Sequence, residues 1–237
     1  MTMTHGKSGV LKVMAGAGIG EPLRELATQY EKASGCKVTI FLGTTPALIG
    51  QITSGEPFDV GIAPREVFKD ENARTRFAAG QTVDIARVGL AVAVRSGAPK
   101  PDISTPEALK QTFLKARSIA TIPASAAGAQ ILRLFERFGI SQAMKPKIKP
   151  QPGPAEIGQA ILERDAELGV FLVNVLTVPG LDIVGMFPPE VQQEVVYMAA
   201  VTADSKDANA AKAFIASLQT PEAKALIKVK GLEPATG

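Results

Sequence analysis

Residues 10–35 read VLKVMAGAGIGEPLRELATQYEKASG, and their order decides the fold class. Val10 to Ala15 is a short apolar run of strand type. Gly16-Ala17-Gly18-Ile19-Gly20 is a loop of small residues, and a helical pattern begins directly behind it. Ile19, Leu23, Leu26, Tyr30 and Ala33 recur at three- and four-residue spacing, Pro22 stands in the first turn, and Gly35 lies where a C-terminal cap belongs. The stretch is therefore a strand, a glycine loop and an amphipathic helix.

The same order returns on either side of the next turns. Cys36 to Ile40 alternates as a strand does, and Gly43-Thr44-Thr45-Pro46 opens a helix through Ala47, Leu48, Ile49 and Ile52. Phe58 to Ala63 is a third apolar run, bounded by Gly55-Glu56-Pro57 and by Pro64-Arg65. Three such units in succession predict a parallel sheet with helices on its faces. Ser118 to Ile122 then leads through Pro123-Ala124-Ser125-Ala126-Ala127-Gly128 into a helix carrying Ile131, Leu132, Leu134, Phe135 and Phe138. A helix over 155–163 and a strand over 168–173 follow, and two helices near 207–218 and 221–230 close the chain.

Two longer apolar stretches, Ile85 to Val94 and Glu194 to Val201, suit strands that cross from one lobe to the other. The expected fold class is α/β, with two Rossmann-like lobes: 1–86 plus 200–237 as the first, 87–199 as the second, and a ligand cleft between them. No repeat of fixed period is visible.

Composition narrows the function. In 237 residues, 46% are apolar, enough for a core in one large domain or two small ones. The formal charge is only +3, with lysines and arginines scattered singly among acids, and there are two tyrosines and no tryptophan. That argues against a nucleic-acid footprint and against an aromatic platform for bases. No apolar stretch is long enough for a spanning helix, so membrane insertion is not expected. A single cysteine, Cys36, in an alternating apolar pattern reads as a buried thiol and excludes an internal disulfide. The opening, Met1 to Gly9, is polar and lacks an apolar signal core, which predicts a cytoplasmic protein as written and a periplasmic one if the chain is a trimmed mature form.

Few residues could carry metal or nucleophile chemistry. The one histidine is His5, outside the folded pattern, and no cysteine cluster exists, so no metal site and no histidine-based triad are expected. The loop at 16–20 approaches a dinucleotide fingerprint, but G-x-G-x-x-G requires glycine where Glu21 stands, and no Walker-type loop follows any strand. No cofactor is expected. Small residues do recur between strand and helix, at Gly16 to Gly20, Gly43 to Thr45 and Ser125 to Gly128. The first turn of a helix has amide donors without internal partners and about half a unit of positive charge, so several starts facing one cleft make an anion site. At any one loop, tight turns and helix caps account for the same residues; three together favour binding.

Particular stretches carry a family resemblance. Val13-Met14-Ala15-Gly16-Ala17-Gly18 before Pro22-Leu23-Arg24-Glu25-Leu26, then Tyr30 to Gly35, Gly43-Thr44-Thr45, and Gln51-Ile52 to Gly55-Glu56-Pro57-Phe58-Asp59-Val60 resemble the molybdate-binding solute receptors of ABC transporters in order and spacing. The likeness continues through Glu167 to Val170 and Leu218 to Ala223. It implies a type II periplasmic-binding fold that closes by a hinge around a tetrahedral oxyanion, with an ABC permease as partner if the chain is exported, and a monomer.

Carried over residue by residue, the resemblance implies ligand contacts at Gly18, Thr45, Ala127, Ile157 and Leu172; the small-residue loops add Gly16, Ala17, Thr44 and Gly128 as candidates, and Ser125 and Asn174 are further polar ones. The serine expected at 18 is glycine and the tyrosine expected at 172 is leucine, while Thr45 keeps its hydroxyl. Each hydrogen bond to a charged group is worth about 1.5–3 kcal/mol, so the loss of two points away from molybdate toward a larger anion such as a carboxylate. Arg65, after the third strand, is placed to meet a carboxylate bidentately or else is an exposed helix-start residue. The leading expectation is a non-enzymatic small-anion binding protein. The alternative, implied by relatives that resemble aconitate isomerase, is a cofactor-independent tricarboxylate isomerase with Glu156 as base; the same residue also suits a helix start as a favourable acid.

Overall fold

The strand-loop-helix opening is present in the computed structural model of the chain, which describes residues 9–79 and 82–236. Strand β1 (Val10–Gly16) passes through a 3-10 turn at Ala17–Ile19 into α1 (Gly20–Ser34), and Gly35 ends the helix in the left-handed conformation at φ 73°, which favours glycine. Leu23, Leu26 and Ala27 are buried and Tyr30 is half-buried; Ala33, placed on the buried face by its spacing, is exposed in the last turn of the helix. Strand β2 (Lys37–Gly43), α2 (Thr45–Thr53), β3 (Val60–Pro64) and α3 (Arg65–Lys69) follow.

Two compact units divide the chain: one up to Ala86 together with the part from Val196 onward, the other Arg87–Val195. The return to the first unit falls a little before the expected residue 200, because Tyr197 to Val201 of β9 (Glu194–Val201) pair with Pro64 to Val60 of β3. In the first unit the strand order is β2-β1-β3-β9. The first three strands are parallel, as their connecting helices require, and β9 is antiparallel. The sheet is thus mixed where sequence alone predicts parallel pairing, because β9 joins it beyond the three β-loop-α units. Met14, Leu48, Ile52, Phe58, Val67 and Phe77 form a core cluster in which Phe77 meets Phe58 edge-on at 5.8 Å.

The second unit holds most of β4 (Val83–Arg95), then α4 (Pro106–Lys115), β5 (Ile119–Thr121), α5 (Ala126–Arg137), the short α6 (Ser141–Met144), β6 (Ile148–Pro150), α7 (Pro154–Leu162), β7 (Leu168–Leu172), α8 (Val173–Leu176) and β8 (Leu181–Met186). Its strands run in the order β4-β7-β5-β6, with β8 also on β4; β5 is parallel to both β6 and β7, and β4 is antiparallel to β7. Phe113 packs edge-on against Phe135 at 5.2 Å and Phe187 at 5.9 Å. Thr105 caps α4 by accepting from the Ala108 amide, as the Thr-Pro-Glu pattern implies.

The chain finishes in the first unit with α9 (Ala208–Ser217), α10 (Pro221–Val229) and β10 (Glu233–Pro234). Phe214 of α9 meets Tyr30 of α1 edge-on at 5.1 Å, and Lys230, just after α10, pairs with Glu21 at 2.8 Å and Glu25 at 3.4 Å. Among the described residues no helix is long and apolar enough to cross a membrane.

Candidate functional site

In the first unit the register fixes what stands together. Gly16 pairs with Gly43, and Ala15 with Ile62, so the carboxyl ends of β1, β2 and β3 lie along one edge of the sheet. Gly16, Ala17, Gly18, Thr44, Thr45 and Arg65 all follow from those ends. Gly16 is buried, while Ala17, Gly18, Thr44 and Thr45 are half-buried at the edge. The residues preceding the 3-10 turn and α2, Gly16 and Thr44, make no side-chain cap hydrogen bond to the turns they open. Arg65 Nη2 lies 3.7 Å from Asp84 Oδ2, with both side chains about half exposed. Such a loose, solvated pair contributes little to stability, and the guanidinium can exchange Asp84 for a ligand carboxylate.

One residue at this edge escaped the sequence reading. Tyr197 of β9 pairs with Pro64 and is 2% exposed, with its ring against Gly16: a Cβ at position 16 would lie 2.7 Å from Tyr197 Cε1. Burial pushes the phenol well above its ordinary pKa, and the nearby Glu66 charge adds to the rise. The available signal was chemical rarity, a tyrosine inside an otherwise apolar crossing strand in a chain with two tyrosines.

The second unit repeats the arrangement on its own sheet. Thr121 pairs with Pro150, and Ile119 with both Ile148 and Leu168, which aligns the carboxyl ends of β5, β6 and β7. Ala127 in the first turn of α5 and Ile157 in that of α7 are buried beneath these ends. Leu172 is 2% exposed and offers only an apolar side chain, and Asn174 is half-buried on α8. Ser125 and Gly128 have another task than the one expected of them. The Ser125 hydroxyl accepts from the Gly128 amide at 2.9 Å and donates to the Ile122 carbonyl at 2.8 Å, so these donors build the turn. Glu156 folds back over the α7 start, its Oε2 2.7 Å from where a Gly153 Cβ would be. This is the posture of an acid that compensates a helix start.

Other chemistry finds little support among the described residues, where no group of three or more His, Cys, Asp and Glu side chains could hold a metal ion. His5 lies outside the described residues. Cys36 is only half-buried, its Sγ donating to the Gly9 carbonyl at 3.3 Å, and burial pushes its thiol away from the reactive thiolate.

A chain that leaves one α/β unit by β4, builds a second and returns by β9, with helix starts gathered at the strand ends of each, has the two-lobed fold of the periplasmic binding proteins. It belongs to the family of bacterial extracellular solute-binding proteins, whose pattern matches residues 11–233. It is 35% identical over 231 residues to an aconitate isomerase of a Pseudomonas species, covering 94% of this chain and 87% of that one. To the molybdate-binding protein ModA of Azotobacter vinelandii it is 26% identical over 227 residues, covering 93% of this chain and 88% of that one. The solved periplasmic molybdate-binding protein of A. vinelandii superposes with a TM-score of 0.78 at 20% identity, covering 95% of this chain and all of the other. The resemblance to molybdate receptors read from residues 13–60 therefore extends over the fold.

Proposed function

We propose that the protein captures a small carboxylate-bearing anion and closes on it by a hinge, the helix starts of both units supplying the donors. The observation that carries this reading is the pairing of Gly16 with Gly43, which sets two helical starts side by side at one sheet edge, with Arg65 following the next strand end. Position 18 is glycine and 172 is leucine, so two side-chain hydroxyls implied by the likeness to molybdate receptors are missing. A small dry tetrahedral oxyanion loses most by that change; a carboxylate meets an arginine and backbone amides instead. An ABC permease is the partner of this activity wherever the chain works outside the inner membrane, and the protein acts as a monomer.

A melting-temperature panel of molybdate, sulfate, phosphate, citrate and cis-aconitate tests the reading. Ligand at a hundred times its Kd stabilises by about 2.7 kcal/mol, which is a rise of roughly 5–10 °C for a domain of this size. The tricarboxylates should give the largest shift. A panel led by molybdate, or one with no shift at all, would overturn the assignment.

The 35% identity to an aconitate isomerase favours a second reading, in which the bound tricarboxylate is also isomerised by proton transfer. Glu156, half-buried at the start of α7, is the acid nominated as base in this reading. The expected result is conversion of cis- to trans-aconitate with solvent deuterium entering the product, reduced at least a hundredfold by Glu156→Gln while citrate still shifts the melt. Absence of turnover in the wild type leaves the receptor reading alone.

A further inference from the structure

The amino ends of β5 and β7 lie at the opposite end of the second unit's sheet from the helix starts at Ala127 and Ile157. Arg117 and Ser118 precede β5 and Glu167 precedes β7, while Arg95 closes β4, which reaches the same end because it runs antiparallel to β7. With Arg164, from the turn after α7, they line a cavity of about 330 Å³. Three guanidinium groups and one carboxylate share this space, an excess of two positive charges in a chain whose formal net charge is only +3.

The Arg117 guanidinium meets Glu167 at 3.2 Å. Arg95, half-buried, and Arg164 make no side-chain hydrogen bond or ion pair among the described residues. A guanidinium held partly out of water without a counter-ion is unfavourable, and an anion from outside the chain would relieve it. Arg164 adds backbone strain: its φ is 67°, whereas every other described residue with positive φ is a glycine. The turn after a helix takes glycine in that conformation because a Cβ crowds it, so the arginine stands there against the local preference. A second cavity, of about 610 Å³, shares Ala98, Arg117 and Glu167 with the first. Pro99, Pro101, Ala116 and Leu168 give it an apolar wall, with Lys100 and Lys115 beside them.

We propose that this end of the second unit binds a phosphomonoester, its phosphate among Arg95, Arg117 and Arg164 and its organic part in the adjoining cavity. Such a phosphate carries about −1.5 to −2 at pH 7, which matches the excess of two positive charges, and guanidinium forks fit its oxygens. A single carboxylate would leave the arginines under-compensated. The adjoining volume lies within the span of small-molecule sites, roughly 300–1,000 Å³.

Isothermal titration of the full chain with phenyl phosphate tests the proposal, with inorganic phosphate as the probe that lacks an organic part. Phenyl phosphate should bind the more tightly, and weaken several-fold between about pH 7.5 and about pH 5 as its phosphate takes up a proton. Arg95→Gln and Arg164→Gly should each raise its Kd about tenfold or more, while citrate shifts the melt as it does in the wild type. Arg164→Gly should also raise the ligand-free melting temperature, since glycine relieves the left-handed backbone, so its weaker binding could not be put down to misfolding. A wild-type chain that does not bind phenyl phosphate overturns the proposal, and so does a Kd left unchanged by either variant, which would place the phosphate elsewhere. Equal affinity for the two probes overturns the part given to the adjoining cavity. The phenyl phosphate comparison stands whether or not citrate binds, so failure of the small-anion reading would be seen separately.

Discussion

Gly128→Ala should lower the melting temperature by roughly 6–20 °C, more than any other single added methyl considered for this chain. Gly128 is the third residue of α5, and a Cβ there would overlap the carbonyl oxygen of Ile122 while lying 2.7 Å from both the Ile122 carbonyl carbon and the Pro123 Cα. All three obstacles are backbone, so no rotamer change relieves them. The backbone is in turn tied to the helix start, because the Ile122 carbonyl accepts from the Ser125 amide at 3.1 Å and from the Ser125 hydroxyl at 2.8 Å, and that hydroxyl accepts from the Gly128 amide. Moving the chain aside breaks the cap as well. Overpacking and a lost cap together amount to about 3–5 kcal/mol, and at 2–4 °C per kcal/mol the stated range follows. Scanning calorimetry checks it; an unchanged melt would mean that the turn from Ile122 to Gly128 is built otherwise.

The role of Gly128 shows where reading from sequence stops. Strand, small-residue loop and helix follow one another at 10–34, 37–53 and 119–137, and apolar periodicity and punctuation made that order legible. Parallel strands put all such loops at one edge, so the order alone placed most site candidates in each unit. What a given polar group is bonded to is set by contacts that periodicity does not encode. Ser125 and Gly128 read as anion donors, yet they satisfy each other, and the three-residue spacing of a helix cap was the local sign of it. Tyr197 was missed for the opposite reason. Its neighbours Gly16 and Pro64 are distant in the chain, and only the antiparallel pairing of β9 with β3 brings its ring to the strand ends. The short α6, β6 and α8 were also illegible, since three or four residues carry no period, and they exist because the sheet and its connections hold them.

Gly16→Ala should cost both stability and binding, and the two losses have one cause. The backbone at Gly16, φ −65° and ψ 134°, accepts any residue, so the objection to a side chain is space alone. The new Cβ would lie 2.7 Å from Tyr197 Cε1 and 3.0 Å from Pro64 Cδ, and neither is a flexible tip: the ring is buried on β9 and the proline ends β3. Relief requires the ring to swing or β1 to part from β3, at about 1–3 kcal/mol, which is a melting-temperature loss of roughly 2–12 °C. Either movement also displaces the Ala17–Ile19 turn, which follows directly from Gly16. Citrate and cis-aconitate binding should therefore weaken by two orders of magnitude or more, because the backbone amides of the turn move. Gly50→Ala supplies the control of opposite sign. It adds the same methyl in the interior of α2, where nothing beyond the helix's own nearby backbone lies within 4 Å, and should stabilise by about 0.5–1 kcal/mol through helix propensity with affinity unchanged. If Gly16→Ala binds the tricarboxylates as tightly as the wild type, the sheet edge at β1 is not where the anion sits.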